Sequence, residues 1–224
     1  MGKKVLFMLV TVLLICNVCF WGKAEEGRIE FSPTYLNVID KLEGLTPGRT
    51  ITVNMGVQKE RYKAGETFEI RFEVSKDCYI TLMYLNSTGT IWFLIPNHWN
   101  PAPKIEGKRV YSTWYHFNVH ATVVPPLTVD VFNLFCSPEK LDLLETDLEK
   151  DPFYTIHQDD EEQLTKLLDR LNQLQAIEWS GNSITIMTGA ARGLSVSRKI
   201  GAIPSTGSGD FFPPLDLERT PAQP

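Results

Sequence analysis

The sequence predicts a mainly β protein, an immunoglobulin-like antiparallel β-sandwich of about seven strands with two added C-terminal helices. Three observations carry that expectation. Phe68, Ile70, Phe72 and Val74 alternate with Thr67, Glu69, Arg71 and Glu73, and the two-residue period of a strand sends the first set to a core and the second to water. Residues Cys78 to Leu85 are then apolar or aromatic at nearly every position, as a central strand covered on both faces requires. Further β-rich segments recur at similar spacing up to Phe135, after which a leucine stripe of helical period takes over.

In chain order, Lys3 and Lys4 precede an apolar run from Val5 to Trp21, and Gly22-Lys23-Ala24 has the small-x-small form of a cleavage site. Residues 1–24 therefore read as a signal peptide, with Glu25 as the mature start and an uncleaved signal anchor as the alternative. Bulky Ile15 and Val18 argue against lipidation at Cys16 or Cys19. The Cys-x-x-Cys string formed by Cys16 and Cys19 falls inside the apolar run, where no folded redox or zinc site forms. The whole chain carries a formal charge of −5, and loss of residues 1–24 leaves 19 Lys plus Arg against 27 acids, a charge of −8. An acidic exported form disfavours nucleic acid, whose phosphates demand clustered cations, and leaves no polybasic patch for anionic lipid.

Residues 25–48 read as an N-terminal leader with one short helix around Leu36 to Leu42, punctuated by Ser32-Pro33 and Thr46-Pro47-Gly48. The domain proper is expected over residues 49–194 and opens with an alternating strand from Thr50 to Val57. After the strands at 67–74 and 78–85, Asn86-Ser87-Thr88-Gly89 supplies a turn, and Thr90 to Ile95 resumes antiparallel to the strand before it. The prolines of His98-Trp99-Asn100-Pro101-Ala102-Pro103 remove ladder donors, so this stretch is an exposed loop. Strands follow at 110–119 and 127–135. A helical insertion spans residues 138–178. Its first helix starts at Ser137-Pro138-Glu139 and stops before Asp151-Pro152. The second opens at Asp159-Asp160-Glu161-Glu162 and places Leu164, Leu167, Leu168, Leu171, Leu174 and Ile177 on one stripe, packed over a face or end of the sandwich. A last strand, Ser183 to Thr188, returns to the sheet, and residues 195–224, rich in Ser, Gly and Pro, read as a disordered tail.

The order Tyr62, Gly65-Glu66, alternating strand, Asp77-Cys78-Tyr79, turn ending at Gly89 and strand closing on Leu94-Ile95-Pro96-Asn97 resembles the bacterial domain of unknown function 4384 family over roughly residues 49 to 136. Members are extracytoplasmic or fused to caspase-like peptidases or protein kinases, and the module has no established activity. The resemblance implies a non-catalytic accessory or sensing role and brings no catalytic residues. This chain has neither peptidase nor kinase sequence attached.

No Gly-x-Ser-x-Gly elbow, His-Glu-x-x-His string or glycine-rich phosphate loop is present. His116 and His120 lie four residues apart, which on the expected strand is about 13 Å, too far for one metal whose ligands sit at about 2 Å. The acids at 159–162 read as helix capping and not as a cation site. No metal, no cofactor and no catalytic set is expected. Cys78 and Cys136, the two cysteines of the mature form, pair in a disulfide if their strands are neighbours, and otherwise stay buried thiols. Trp99, on its proline-flanked loop with Asn97 and His98, is the best candidate for a binding surface, while Trp92 and Trp114 read as core.

The sequence thus points to a non-catalytic binding or interaction module exported to the bacterial envelope, periplasmic or extracellular, with an envelope protein or glycan as partner. Membrane attachment enters only through an uncleaved signal segment. Two alternatives stay open: an enzyme built on an unrecognised cysteine or carboxylate site, and a self-assembling structural component using the leucine-rich helix as a protomer contact.

Overall fold

A computed structural model describes residues 30–123, 129–143, 148 and 151–188. The expected signal peptide at 1–24, the tail at 195–224 and most of the second half of the first expected insertion helix lie outside these residues. The described chain is mainly β with antiparallel sheets and a few helices.

The large sheet is built on strand β5, Cys78–Leu85, and strand β10, Val129–Ser137, which pair antiparallel with Cys136 opposite Ile80. On one side β5 pairs with β6, Thr90–Ile95, and β6 with β11, Tyr154–His157; on the other, β10 pairs with β12, Ser180–Thr188. A two-residue strand β2, Arg61–Tyr62, adds to β12 in parallel, and β7, Lys104–Ile105, pairs with the start of β5. The second sheet holds β1, Val53–Val57, β4, Ile70–Val74, and β8, Val110–Ser112, in the order β1-β4-β8.

Alternation along the central strands separates two cores. Cys78, Ile80 and Leu82 of β5 and Phe132, Leu134 and Cys136 of β10 face the small sheet, meeting Val53, Met55, Ile70, Phe72 and Val74. Met83, Leu85 and Phe135 point the other way, with Ile91, Phe93 and Ile156, into a layer of helices. One bulge matters here. Leu82 pairs with Ile95 and Met83 with Phe93, so Leu94 is the extra residue on β6. The bulge puts both Leu94 and Ile95 on the small-sheet side.

Helix α1, Pro33–Gly44, starts with Pro33 and the Ser32 hydroxyl, which accepts from the Tyr35 amide at 3.2 Å. It buries Tyr35 and Val38 against the large sheet, so the segment read as a leader contributes to the core. The Asp160 carboxylate caps helix α3, Glu161–Gln173, by accepting from the Gln163 amide at 3.1 Å. Its leucine stripe is internal: Leu164, Leu167 and Leu171 are buried within this chain, joined by Leu174 in a following 3-10 turn, Leu174–Ala176. Ile177, counted with the stripe in the sequence, is half exposed instead.

Three expectations are corrected. Residues 138–143 are not helical, because β10 runs through Cys136 and Ser137, where the capping sequence suggested a helix start. The strand expected over 110–119 stops at Ser112. Its hydroxyl accepts from the amides of Trp114 and Tyr115 and starts a short helix, α2, Thr113–Phe117, closed by Asn118 at φ +55°. The single strand expected over 67–74 is split: β3, Thr67–Phe68, pairs with β9, Ala121–Thr122, while β4 joins the small sheet. Glu69 sits at the switch. Alternation alone sends it to water, but it is 3% exposed.

Candidate functional site

Asn97 follows the end of β6, is fully buried, and organises the loop that carries Trp99. Its side-chain amide donates to the Leu94 carbonyl at 2.9 Å and the Phe117 carbonyl at 3.1 Å. Its side-chain carbonyl accepts from the Trp99 amide at 3.1 Å and the Asn100 amide at 2.9 Å. The backbones of Asn97 and Asn100 bond to each other in both directions. The loop is therefore tied to the strand before it and to the end of α2, and little of its geometry is left to chance.

Held this way, the Trp99 ring is 47% exposed, with the Phe153 ring at 5.7 Å and the His98 ring at 6.0 Å, both near edge-on. The His98 amide donates to the Pro152 carbonyl at 3.1 Å, and its Nδ1 lies 2.8 Å from the Leu148 carbonyl. Beside the loop runs a cleft lined by Phe93, Pro96, Pro101, Leu141, Leu143 and Tyr154. The three residues singled out in the sequence thus fall into two roles. Asn97 is an internal clamp, and Trp99 and His98 face outward. Phe153 and the Phe117 carbonyl were not legible as partners, because both come from distant parts of the chain.

The histidines at 116 and 120 are engaged separately. Ser112 donates its amide to His116 Nδ1 at 3.0 Å, and the His116 ring packs on Tyr111 at 5.1 Å. Burial pushes the His116 pKa down, and the nearby Arg109 charge lowers it further. His120 stacks on Trp114 at 5.6 Å. The Trp114 indole N–H donates to the Phe68 carbonyl at 3.0 Å, which pins a ring that is half-buried and outside both core clusters, whereas Trp92 packs against the core between the sheets.

The buried Glu69 carboxylate is the centre of a polar cluster that alternation hid. It accepts from Arg71 Nε at 2.9 Å, from the Gln58 amide at 3.2 Å and from the Ser112 hydroxyl. With His116 close by, a serine, a histidine and a carboxylate share one neighbourhood, yet their bonds are not those of a nucleophile and its base. The Ser112 hydroxyl donates to the carboxylate and caps α2, while His116 takes the Ser112 backbone N–H. Ser112 is fully buried.

Cys78 and Cys136 are unbridged and fully buried on adjacent strands, in the core between the sheets. The interaction between the two thiols lowers the pKa of Cys78 and, together with burial, pushes that of Cys136 up. No helix among the described residues is long and apolar enough to cross a membrane.

Residues 61–140 match the model of a family described as domain of unknown function (DUF4384). The resemblance read from Tyr62 to Asn97 is thereby shown for this segment. The match takes in β2 to β10, the Asn97 clamp and both buried cysteines. No curated protein matches the chain.

Proposed function

We propose that this chain is a non-catalytic, exported interaction module of the bacterial envelope, an immunoglobulin-like sandwich with a helical layer, and that it binds through the Trp99 loop. One observation carries the reading: a half-exposed tryptophan is held by a wholly buried asparagine that fixes the backbone on both sides of it. A large aromatic presented on a preorganised loop offers contact area without an ordering cost on binding, and tryptophan is prominent among binding hot spots. The cleft beside it, where apolar side chains are joined by Thr81, Lys140 and Asp142, extends the surface. The partner is an envelope protein or a glycan, both of which pack on aromatic faces.

Residues 25–224 and a Trp99→Ala version, each used as bait in native envelope extract and read by mass spectrometry, test this. A partner retained by the first and lost by the second is the expected result. Equal retention by both, or a cleavage or transfer activity abolished by Cys136→Ala alone, overturns it.

A further inference from the structure

Cys78 and Cys136 stand apart from the Trp99 surface and call for their own account. In the antiparallel pairing of β5 and β10, Cys136 lies opposite Ile80, and Cys78 is two residues further along the same face of β5. Both are fully buried in one core cluster. Diagonal neighbours on one face of a sheet have Cα atoms about 7–8 Å apart, with Cβ atoms closer. A disulfide needs Cα atoms within about 7 Å, so a small approach of the two strands is enough to close one.

We infer that Cys78 and Cys136 are a two-electron thiol pair that closes into an intrachain disulfide across the two central strands of the large sheet when the chain folds with a disulfide oxidant present. The short β7 covers Cys78 through its pairing with Ile105, and both thiols are out of reach once the sheet is complete. The oxidant therefore acts while β5 and β10 are coming together. At that stage both thiols are still accessible and either can attack first; with Cys78 first, the exchange runs through two steps. The Cys78 thiolate attacks an oxidant RS–SR, forming a Cys78–S–SR mixed disulfide and releasing RS⁻. The Cys136 thiolate then attacks Cys78 Sγ, forming the Cys78–Cys136 bond and releasing a second RS⁻. The two thiol protons pass to the two RS⁻, so the protein loses two hydrogens and the oxidant becomes 2 RSH.

The test is to dilute the reduced, denatured full chain into buffer with oxidised and reduced glutathione, then digest without reduction after blocking free thiols. Peptide mapping distinguishes this pair from bridges to Cys16 or Cys19. The expected product is a peptide containing Cys78 joined to one containing Cys136, and a folded chain with a higher urea midpoint than its reduced form. In Cys136→Ala, Cys78 is recovered blocked or carrying glutathione. The same map, made on chain isolated directly after expression with export to an oxidising compartment, needs no refolding step. Recovery of Cys78 and Cys136 as blocked thiols in both preparations, or their attachment only to glutathione, Cys16 or Cys19, overturns the inference.

Discussion

Replacing Asn97 with alanine separates the scaffold of the loop from its surface. The substitution removes an amide that donates to the Leu94 and Phe117 carbonyls and a carbonyl that accepts from the Trp99 and Asn100 amides. These four are not equal losses. The Asn100 amide keeps the Asn97 backbone carbonyl at 3.0 Å, and the Phe117 carbonyl keeps a long contact of 3.4 Å with the Asn100 side chain. The Leu94 carbonyl and the Trp99 amide each lose their Asn97 side-chain partner outright. A buried polar group left unpaired costs about 1–3 kcal/mol; the Leu94 carbonyl bears that cost in full, the Trp99 amide of a half-exposed residue bears less, and with one weakened bond the destabilisation is about 2–4 kcal/mol. Urea unfolding followed by tryptophan fluorescence measures it, provided the slope is unchanged so that the midpoint shift reports stability. Asn97→Asp is a companion. It keeps the acceptor but turns a carboxylate toward two carbonyl oxygens, so its loss should shrink as the pH is lowered and the new acid takes a proton. An Asn97→Ala cost below about 1 kcal/mol would refute the clamp, since the loop would then be held by its backbone contacts alone.

Trp99→Ala should leave stability within about 1 kcal/mol, because the ring is half exposed and loses mainly its contact with Phe153, and thermal unfolding checks this. Leu167→Ala, at a fully buried position of α3, should cost about 2–5 kcal/mol in urea without any change in sedimentation; a small cost with a change in association state would return the leucine stripe to a protomer contact. Burial raises the Asp130 pKa from 3.8 to about 6, despite hydrogen bonds from the Tyr84 hydroxyl and the Ser87 backbone that favour the charged form. The folded chain then holds this proton more tightly than the unfolded one. The contribution of Asp130 to stability is full below pH 3.8 and is lost as the pH rises to about 6. Allowing for the part of the carboxylate open to solvent, the loss is about 1–2 kcal/mol. It should appear as the difference between the urea midpoints of wild type and Asp130→Asn across that range, with a parallel pair of profiles counting against it.

The strands that were legible in the sequence are those whose neighbours lie along their whole length. Residues 78–85 and 90–95 match β5 and β6 at both ends, because a continuous apolar run and a turn ending in glycine leave few alternatives. The failures fall where a side chain bonds to backbone out of register with the pattern. The β-branched and aromatic run from Val110 carries no mark that Ser112 caps a helix, since the cap depends on a hydroxyl held by Glu69, 43 residues earlier. For the same reason Glu69 looked solvent-facing. A period of two assumes one strand in one sheet, and the chain changes sheets at that residue. Conversely, β11 went unread because four residues between a proline turn and a helix cap are too few for periodicity to register.

The candidate surface was legible only in part, and the reason bears on its function. Proline spacing placed Trp99 in an exposed loop, but the groups that fix it come from α2 through the Phe117 carbonyl, and those that surround it come from 148–153 through Leu148, Pro152 and Phe153. A surface assembled from three separated segments has a shape only when the fold is complete. A peptide spanning residues 97–103 lacks the Phe117 carbonyl and the Phe153 ring and should not compete for the partner. Full competition by that peptide in the bait experiment would mean that the tryptophan alone is recognised and that the clamp serves stability without serving binding.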